Sequence, residues 1–242
     1  MGIGPLSAYY DQAFKKKLEA TSDPVVCSPS LFEWTKSNAS LWQKNAPMSA
    51  IELGCGPRSI LEELPLPQTS QRIGVDFSRT MTDYARLSSR SKVTYECFDV
   101  LELETHPLLK SLDFDLAIDG HLFHCLTEAS ARKKYLASVL HKLEARRGYF
   151  VLECMVETDS LSFADDFLFL QDTRVLLQQI GREAVPVRYI PRVENVLEEF
   201  KKSGFKIVKF LCPLGTKIIS DARREEPIDG DPGLARLFLI PN

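Results

Sequence analysis

The sequence predicts an α/β protein built on a mostly parallel sheet, with helices on both faces and an antiparallel last strand. Three observations carry this reading. Between residues 48 and 155, apolar runs of strand length alternate with helix-like segments. That rhythm requires right-handed crossovers between parallel strands. Several runs are continuously apolar rather than alternating, which suits strands covered on both faces. The last two runs, Phe205–Leu211 and Leu234–Ile240, have no helix between them and should pair antiparallel.

The strand candidates of the core are Ala50–Leu53, Arg72–Phe77, Val93–Phe98, Phe114–Asp119 and Tyr149–Met155. Between them, Ser59–Leu64 is a short helical piece stopped by Pro65, and Ser78–Ser88 opens on a capping serine. Glu128–Leu143 is the longest helix, with Tyr135, Leu136, Val139, Leu140 and Leu143 forming one apolar stripe. Beyond residue 155 the texture changes. Phe167–Ile180 reads as helical, Val193–Lys202 as a helix ended by Gly204, and Cys212–Gly233 as a polar excursion before the last strand. Ahead of the sheet lie helical stretches around Ala8–Leu18 and Leu31–Trp42. The expected organisation is one domain over 1–242: an N-terminal helical cap (1–45), a ligand-binding core (46–155), a lid insertion (156–191) and a closing segment (192–242).

Composition limits the function classes. A chain of 242 residues with 44% hydrophobic and 26% charged residues can bury a sizeable core. The net charge is −3, and basic clusters such as Lys15-Lys16-Lys17 and Arg132-Lys133-Lys134 are interspersed with carboxylates. Nothing resembles the electrostatic footprint of a nucleic-acid binder. No apolar run approaches the ~20 residues that span a bilayer. The amino terminus has no charged-then-apolar signal pattern, and Leu6 stands where a myristoylation start wants Ser or Thr. The six cysteines include no C-x-x-C pair, so no zinc knuckle or dithiol motif is expected. A reduced, cytoplasmic protein is the expectation.

Chemistry concentrates in Ser49–Pro57, where an apolar strand carries Glu52 and then turns through Gly54 and Gly56. Glycine at both places lets the backbone turn sharply and approach a ligand. Asp76, Asp99 and Asp119 each follow at the carboxyl end of a later strand. That edge is where open α/β sheets bind ligands. Ile51-Glu52-Leu53-Gly54-Cys55-Gly56, Gly74-Val75-Asp76-Phe77-Ser78, Phe98-Asp99-Val100 and Phe114–His121 together resemble the four motifs of class I S-adenosylmethionine (SAM)-dependent methyltransferases. The resemblance covers 46–155 at motif level and 192–242 by element order. It implies a Rossmann-like seven-stranded sheet and SAM as cofactor, leaving as S-adenosylhomocysteine.

Carried over residue by residue, the resemblance implies that Gly54, Cys55 and Gly56 support the methionine part, with Glu52 orienting its ammonium group. Asp76 would accept from both ribose hydroxyls, with Phe77 and Met81 beside it. Asp99 would accept from the adenine amino group, and the Val100 N–H would reach the ring. Asp119, Gly120 and His121 would face the sulfonium and the transferred methyl. One departure stands out: Pro57-Arg58 replaces the third small residue often found after Gly56. Asp76→Ala should weaken SAM binding with little loss of fold, since a strand tip is expected to be exposed.

Candidate catalytic residues are His121, His124 and Tyr10. The D-G-H-x-x-H spacing places both histidines on one side of a helical turn, and either has a suitable unperturbed pKa for removing the acceptor's proton. Otherwise His121 lines the cofactor with its backbone while His124 packs under the lid. Tyr9 or Tyr10 could close over the sulfonium or merely anchor a helix. Phe163, Phe167 and Phe169 suit an acceptor pocket or a lid core; Arg223 and Arg224 suit an acidic substrate or a solvated loop. No D-P-P-Y-like tetrapeptide and no Pro-Cys pair follows the fourth strand, which points away from base or amide nitrogens and from cytosine. A small organic acceptor methylated on O, N or S is the leading reading. A protein or peptide methyltransferase, a SAM-binding module without catalysis and a dinucleotide oxidoreductase stay open.

Overall fold

The computed structural model describes residues 15, 28–44, 46, 48–89, 92–221, 223–224 and 226–242. Among the fully described elements, two helices come first, α1 (Pro29–Ser37) and the single turn α2 (Ala39–Trp42). Then follow β1 (Ser49–Leu53), β2 (Gln71–Asp76), α3 (Arg79–Ser88), β3 (Val93–Cys97), β4 (Leu116–Gly120), α4 (Ala129–Glu144) and β5 (Tyr149–Val156). The remainder is β6 (Phe167–Leu170), β7 (Val175–Ile180), β8 (Glu183–Tyr189), α5 (Val193–Lys202), β9 (Phe205–Leu211) and β10 (Gly233–Pro241).

The main sheet has seven strands in the order β3-β2-β1-β4-β5-β10-β9. Pairs from β3 through β5 are parallel, and β10 runs antiparallel to both β5 and β9. The sheet is thus parallel except for the last strand of the chain, as the sequence predicts. The order reverses between β1 and β4, which marks the ligand edge of such a sheet. One face carries α4 and α5, whose Tyr135, Leu136, Val139, Leu143, Val196 and Phe200 pack on Ile51, Leu53, Phe150 and Leu237. The other carries α1 and α2, with Leu31, Phe32, Trp34 and Trp42 on Ala50, Ile118, Val151 and Phe238.

The helix expected over Phe167–Ile180 is absent. The segment forms β6 and β7, which with β8 make a separate three-stranded antiparallel sheet. Arg174 adopts φ +59° and Gly181 φ +65°, closing two turns. Ahead of the first turn, Phe167 and Phe169 face inward while Leu168 and Leu170 face out, a period of two. Phe163, Phe167 and Phe169 pack on Met155, Leu176, Ile218 and Leu234, so the insertion is fastened to the end of β5. The piece expected over Ser59–Leu64 shrinks to a 3₁₀ turn, Ile60–Glu62, and β4 begins two residues later than expected. The stretch Ala8–Leu18 lies outside the described residues, save for Lys15. Among the described residues, no helix is long and apolar enough to cross a membrane.

Candidate functional site

The turn after β1 is built by backbone geometry. The N–H groups of Gly54 and Cys55 both donate to the Val75 carbonyl, at 2.8 and 2.9 Å, folding the chain back over the tip of β2. Gly54 and Gly56 take φ +76° and +60°, which side chains other than glycine rarely adopt. A Cβ on Gly54 would also lie 2.9 Å from the Cβ of Leu122 on the loop after β4. Gly54→Ala should therefore cost roughly 1–2 kcal/mol for the left-handed backbone alone. Chemical denaturation would measure this, and an unchanged unfolding free energy would contradict it.

Glu52 is only 1% exposed. Its Oε2 accepts from the Ser59 hydroxyl at 2.5 Å and the Ile60 N–H at 2.8 Å. Oε1 has no hydrogen-bond partner among the described residues and points beside Gly120, 3.6 Å from where a Cβ would stand. Burial pushes this carboxyl up to about 8, against the pull of Ser59 and Ile60. Arg58, the departure after Gly56, swings outward to Glu63 at 2.5 Å and Glu62 at 3.7 Å. Its side chain makes no demand on the turn.

Asp76 ends β2 and is 8% exposed, not the exposed tip expected. Its Oδ2 accepts from the Gly56 N–H at 3.0 Å and its Oδ1 from the Ser78 N–H at 2.9 Å. It therefore ties the glycine turn to the start of α3, where the Ser78 hydroxyl caps Met81 N–H at 3.2 Å. Phe77 is half-buried and Met81 fully buried. Asp99 is exposed past β3 and caps the next turn through the Leu101 N–H at 2.9 Å, while Val100 is buried beneath it. In register, Gly74 stands opposite Glu52, Cys97 opposite Asp76 and Asp119 opposite Leu53. Four neighbouring strands at about 4.8 Å spacing bring these tips onto one edge roughly 15 Å wide.

The tip of β4 is different. Asp119 is fully buried, with Oδ1 accepting from the Leu122 and Phe123 N–H groups and Oδ2 from the Tyr135 hydroxyl at 2.7 Å. Burial pushes its carboxyl up to about 6, and these bonds hold it lower than burial alone would. It orders the loop from beneath. His121 has φ +82°, a conformation costing a β-carbon residue on the order of 1 kcal/mol. That twist brings its Nε2 to 2.6 Å from Oε1 of Glu153 on β5, leaving 31% of its side chain exposed. His124 is buried, its Nδ1 accepting the Met155 N–H at 3.3 Å, and burial holds it well below the ordinary histidine range. The Cys125 thiol donates to the His121 carbonyl at 3.2 Å, and burial pushes it up.

Glu153 belongs to the site although no sequence motif marks it. It sits inside the apolar run Tyr149–Met155, 1% exposed, and that lone carboxylate was the available signal. Ser28, Ser30, His121 and Arg236 surround it. Burial raises its carboxyl, but the bonds and charges of His121 and Arg236 outweigh this and hold it at about 2.

Past the end of β5 lies a cleft of about 540 Å³, walled by Leu161, Phe163 and Phe169 and rimmed by Glu157, Arg192 and Glu194. Glu157 is clasped by Arg174 at 2.5 Å and Arg192 at 3.1 Å. Phe163 and Phe169 thus serve both the lid core and the cleft. Arg223 and Arg224 are engaged by Asp166, Asp221 and Asp231, bracing the excursion before β10. Tyr9 and Tyr10 lie outside the described residues. Among the described residues, no group of three or more His, Cys, Asp or Glu is placed to hold a metal ion.

Residues 51–152 match the family model described as "Methyltransferase domain". Among solved structures, the chain is similar to an S-adenosylmethionine-dependent methyltransferase from Clostridium acetobutylicum (TM-score 0.59, 14% identity, 96% of this chain and 98% of that one). It is also similar to 1,6-didemethyltoxoflavin-N1-methyltransferase from Burkholderia thailandensis, solved with its namesake compound and S-adenosylhomocysteine (0.61, 12%, 100% and 92%). A third similar structure is the [4+2]-cyclase SpnF (0.56, 15%, 87% and 80%). At these identities the likeness is one of fold. No curated protein sequence matches the chain.

Proposed function

We propose, for a chain that is a class I SAM-dependent methyltransferase in fold and in domain, that the methyl acceptor is a small organic molecule. The single observation that carries this is the cleft beyond β5. Its volume of about 540 Å³ suits one small ligand, and its lining sets Leu161, Phe163 and Phe169 among the polar Glu157, Thr158, Asp159, Gln171, Arg192 and Glu194. That the Burkholderia thailandensis neighbour is an N1-methyltransferase solved with bound 1,6-didemethyltoxoflavin supports the same class.

The residues present fit SAM on structural grounds. An unpartnered carboxylate oxygen on the buried Glu52 suits an ammonium group. The Gly54–Gly56 turn needs its two glycines for their positive φ, and Leu122 packs where a Gly54 Cβ would stand. In this reading Glu52 holds the ammonium, the backbone of Gly54, Cys55 and Gly56 carries the methionine part, and Asp76 takes the ribose hydroxyls. Phe77 and Met81 flank the adenosine, Asp99 and the Val100 N–H bind the adenine, and Gly120 leaves room at the β4 tip. Asp119 contributes indirectly, by fixing the loop. The cofactor supplies a methyl group already activated by positive sulfur. The protein's remaining task is alignment and exclusion of water, worth about 7–11 kcal/mol in favourable cases.

The test uses the full chain with methyl-labelled SAM, incubated separately with the low-molecular-weight and the protein fractions of a cell extract. Label in small products is expected. Label only in protein bands would replace the small acceptor with a protein one. Binding of SAM without turnover in either fraction would make the chain a binding module.

A further inference from the structure

A polar cluster gathers around Glu153, and it has a directional consequence for His121. We propose that His121 and Glu153 form a proton-accepting pair: Nδ1 of His121 receives the acceptor's proton, and Glu153 is the positioning residue that makes Nδ1 the basic atom. This rests on the methyltransferase reading and narrows its acceptor to one with a dissociable proton on the attacking atom, a phenolic or enolic hydroxyl or a thiol, ahead of a tertiary amine.

Each oxygen of Glu153 is occupied from two directions. Oε1 accepts the Ser28 hydroxyl at 2.8 Å and faces His121 Nε2 at 2.6 Å. Oε2 accepts the Ser30 hydroxyl at 3.2 Å and the Arg236 Nε–H at 2.5 Å. An arginine bonded on one side keeps this carboxylate ionised, so it can only accept. Nε2 of His121 must then carry the hydrogen, which leaves the lone pair on Nδ1. No protein group among the described residues bonds Nδ1, and the side chain remains 31% exposed. The ring cannot rotate away without breaking the 2.6 Å contact, and the left-handed backbone of His121 aims it there. The buried carboxylate also stabilises the imidazolium that forms, the role a buried acid plays behind a catalytic histidine.

The other titratable groups facing His121 are Asp119 and His124. Asp119 is saturated by the loop N–H groups and Tyr135. His124 has its Nδ1 lone pair committed to the Met155 N–H inside the fold, so it is not the base. In the step itself the acceptor's proton passes to Nδ1. The freed lone pair forms the new bond to the methyl carbon, and the pair from the broken carbon–sulfur bond stays on sulfur. A general base of this kind is worth roughly 10²–10⁴-fold.

Nitrogen-15 NMR of the imidazoles in the full chain tests the pairing without an acceptor; His121→Asn assigns the signal. The expected result is the Nε2–H tautomer for neutral His121 in the wild type and a mixture of tautomers in Glu153→Gln, with Glu153→Asp restoring part of the preference. An Nδ1–H tautomer in the wild type, or an unchanged one in Glu153→Gln, overturns the proposal. Should Glu153→Gln not fold, the wild-type tautomer alone decides. S-Adenosylhomocysteine formation from a panel of phenols, thiols and tertiary amines gives the second readout. Glu153→Gln should lower kcat for the phenols and thiols about 100-fold with SAM affinity by calorimetry within threefold. Equal loss of kcat and SAM affinity would make Glu153 merely structural. A wild type that binds no SAM would instead remove the methyltransferase reading, leaving the tautomer result to stand by itself.

Discussion

Asp76→Ala is expected to lower SAM affinity by about 100- to 1,000-fold. Two hydrogen bonds from ribose hydroxyls to a carboxylate are charge-assisted, worth roughly 1.5–3 kcal/mol each in such settings. Losing both costs on the order of 3–4 kcal/mol, since water and neighbouring acceptors recover part of the loss. The same substitution also strips the acceptors of the Gly56 and Ser78 N–H groups. Unfolding free energy should therefore drop by about 1–3 kcal/mol, the usual cost of orphaning buried donors. Asp76→Asn separates the two effects. One amide oxygen still accepts from a backbone N–H, so stability should recover more than affinity does. Calorimetric titration with SAM beside urea denaturation of both variants measures the pair. Affinity within threefold of wild type in Asp76→Ala would place the ribose elsewhere on the sheet edge.

That double role shows what the sequence could and could not convey. The order of strands, their carboxyl-end acids and the antiparallel close were legible because each is a local pattern. Continuous apolar runs such as Leu116–Ile118 announce doubly covered strands, and Val193–Lys202 and Phe205–Leu211 end where Gly204 and Pro213 break them. What one segment does to another was not legible. Asp76 reads as a bare strand tip until the glycine turn folds back onto it. Phe167–Ile180 holds enough leucine and glutamine to look helical, and only the inward packing of Phe167 and Phe169 on Met155 and Leu234 selects strand. Arg58 looks intrusive beside Gly56, yet Glu62 and Glu63, four and five residues later, draw it outward. Glu153 was hidden for the opposite reason. Its partners come from α1, the β4 loop and β10, more than 80 residues away on either side in the cases of Ser28 and Arg236. Spacing within a motif cannot show such a cluster.

Glu52 carries the other large effect, a pH dependence of cofactor binding. Its carboxyl is pushed up to about 8 by burial, so in the free protein it is largely protonated at neutral pH. An ammonium group placed at Oε1 favours the ionised form and lowers that pKa. Binding SAM must then release a proton at any pH below about 8, and affinity should rise with pH, by up to about tenfold per unit between 6 and 8, then level off. For the free protein the sign is opposite. A folded pKa above the ordinary carboxyl value means that the proton on Glu52 stabilises the fold at low pH. That contribution is lost as pH climbs through 8, at up to about 1.4 kcal/mol per unit. Glu153, held at about 2, acts only below the ordinary carboxyl range and does not cancel this. The shift in melting temperature produced by SAM should accordingly grow from pH 6 to pH 8. Glu52→Gln retains an acceptor for Ser59 and Ile60 but cannot ionise, so both pH dependences should flatten and SAM affinity at pH 8 should fall about 100-fold. Calorimetry in two buffers of different ionisation enthalpy counts the released proton directly. Finding none at pH 6.5 in the wild type would mean that the ammonium is bound somewhere other than at Glu52.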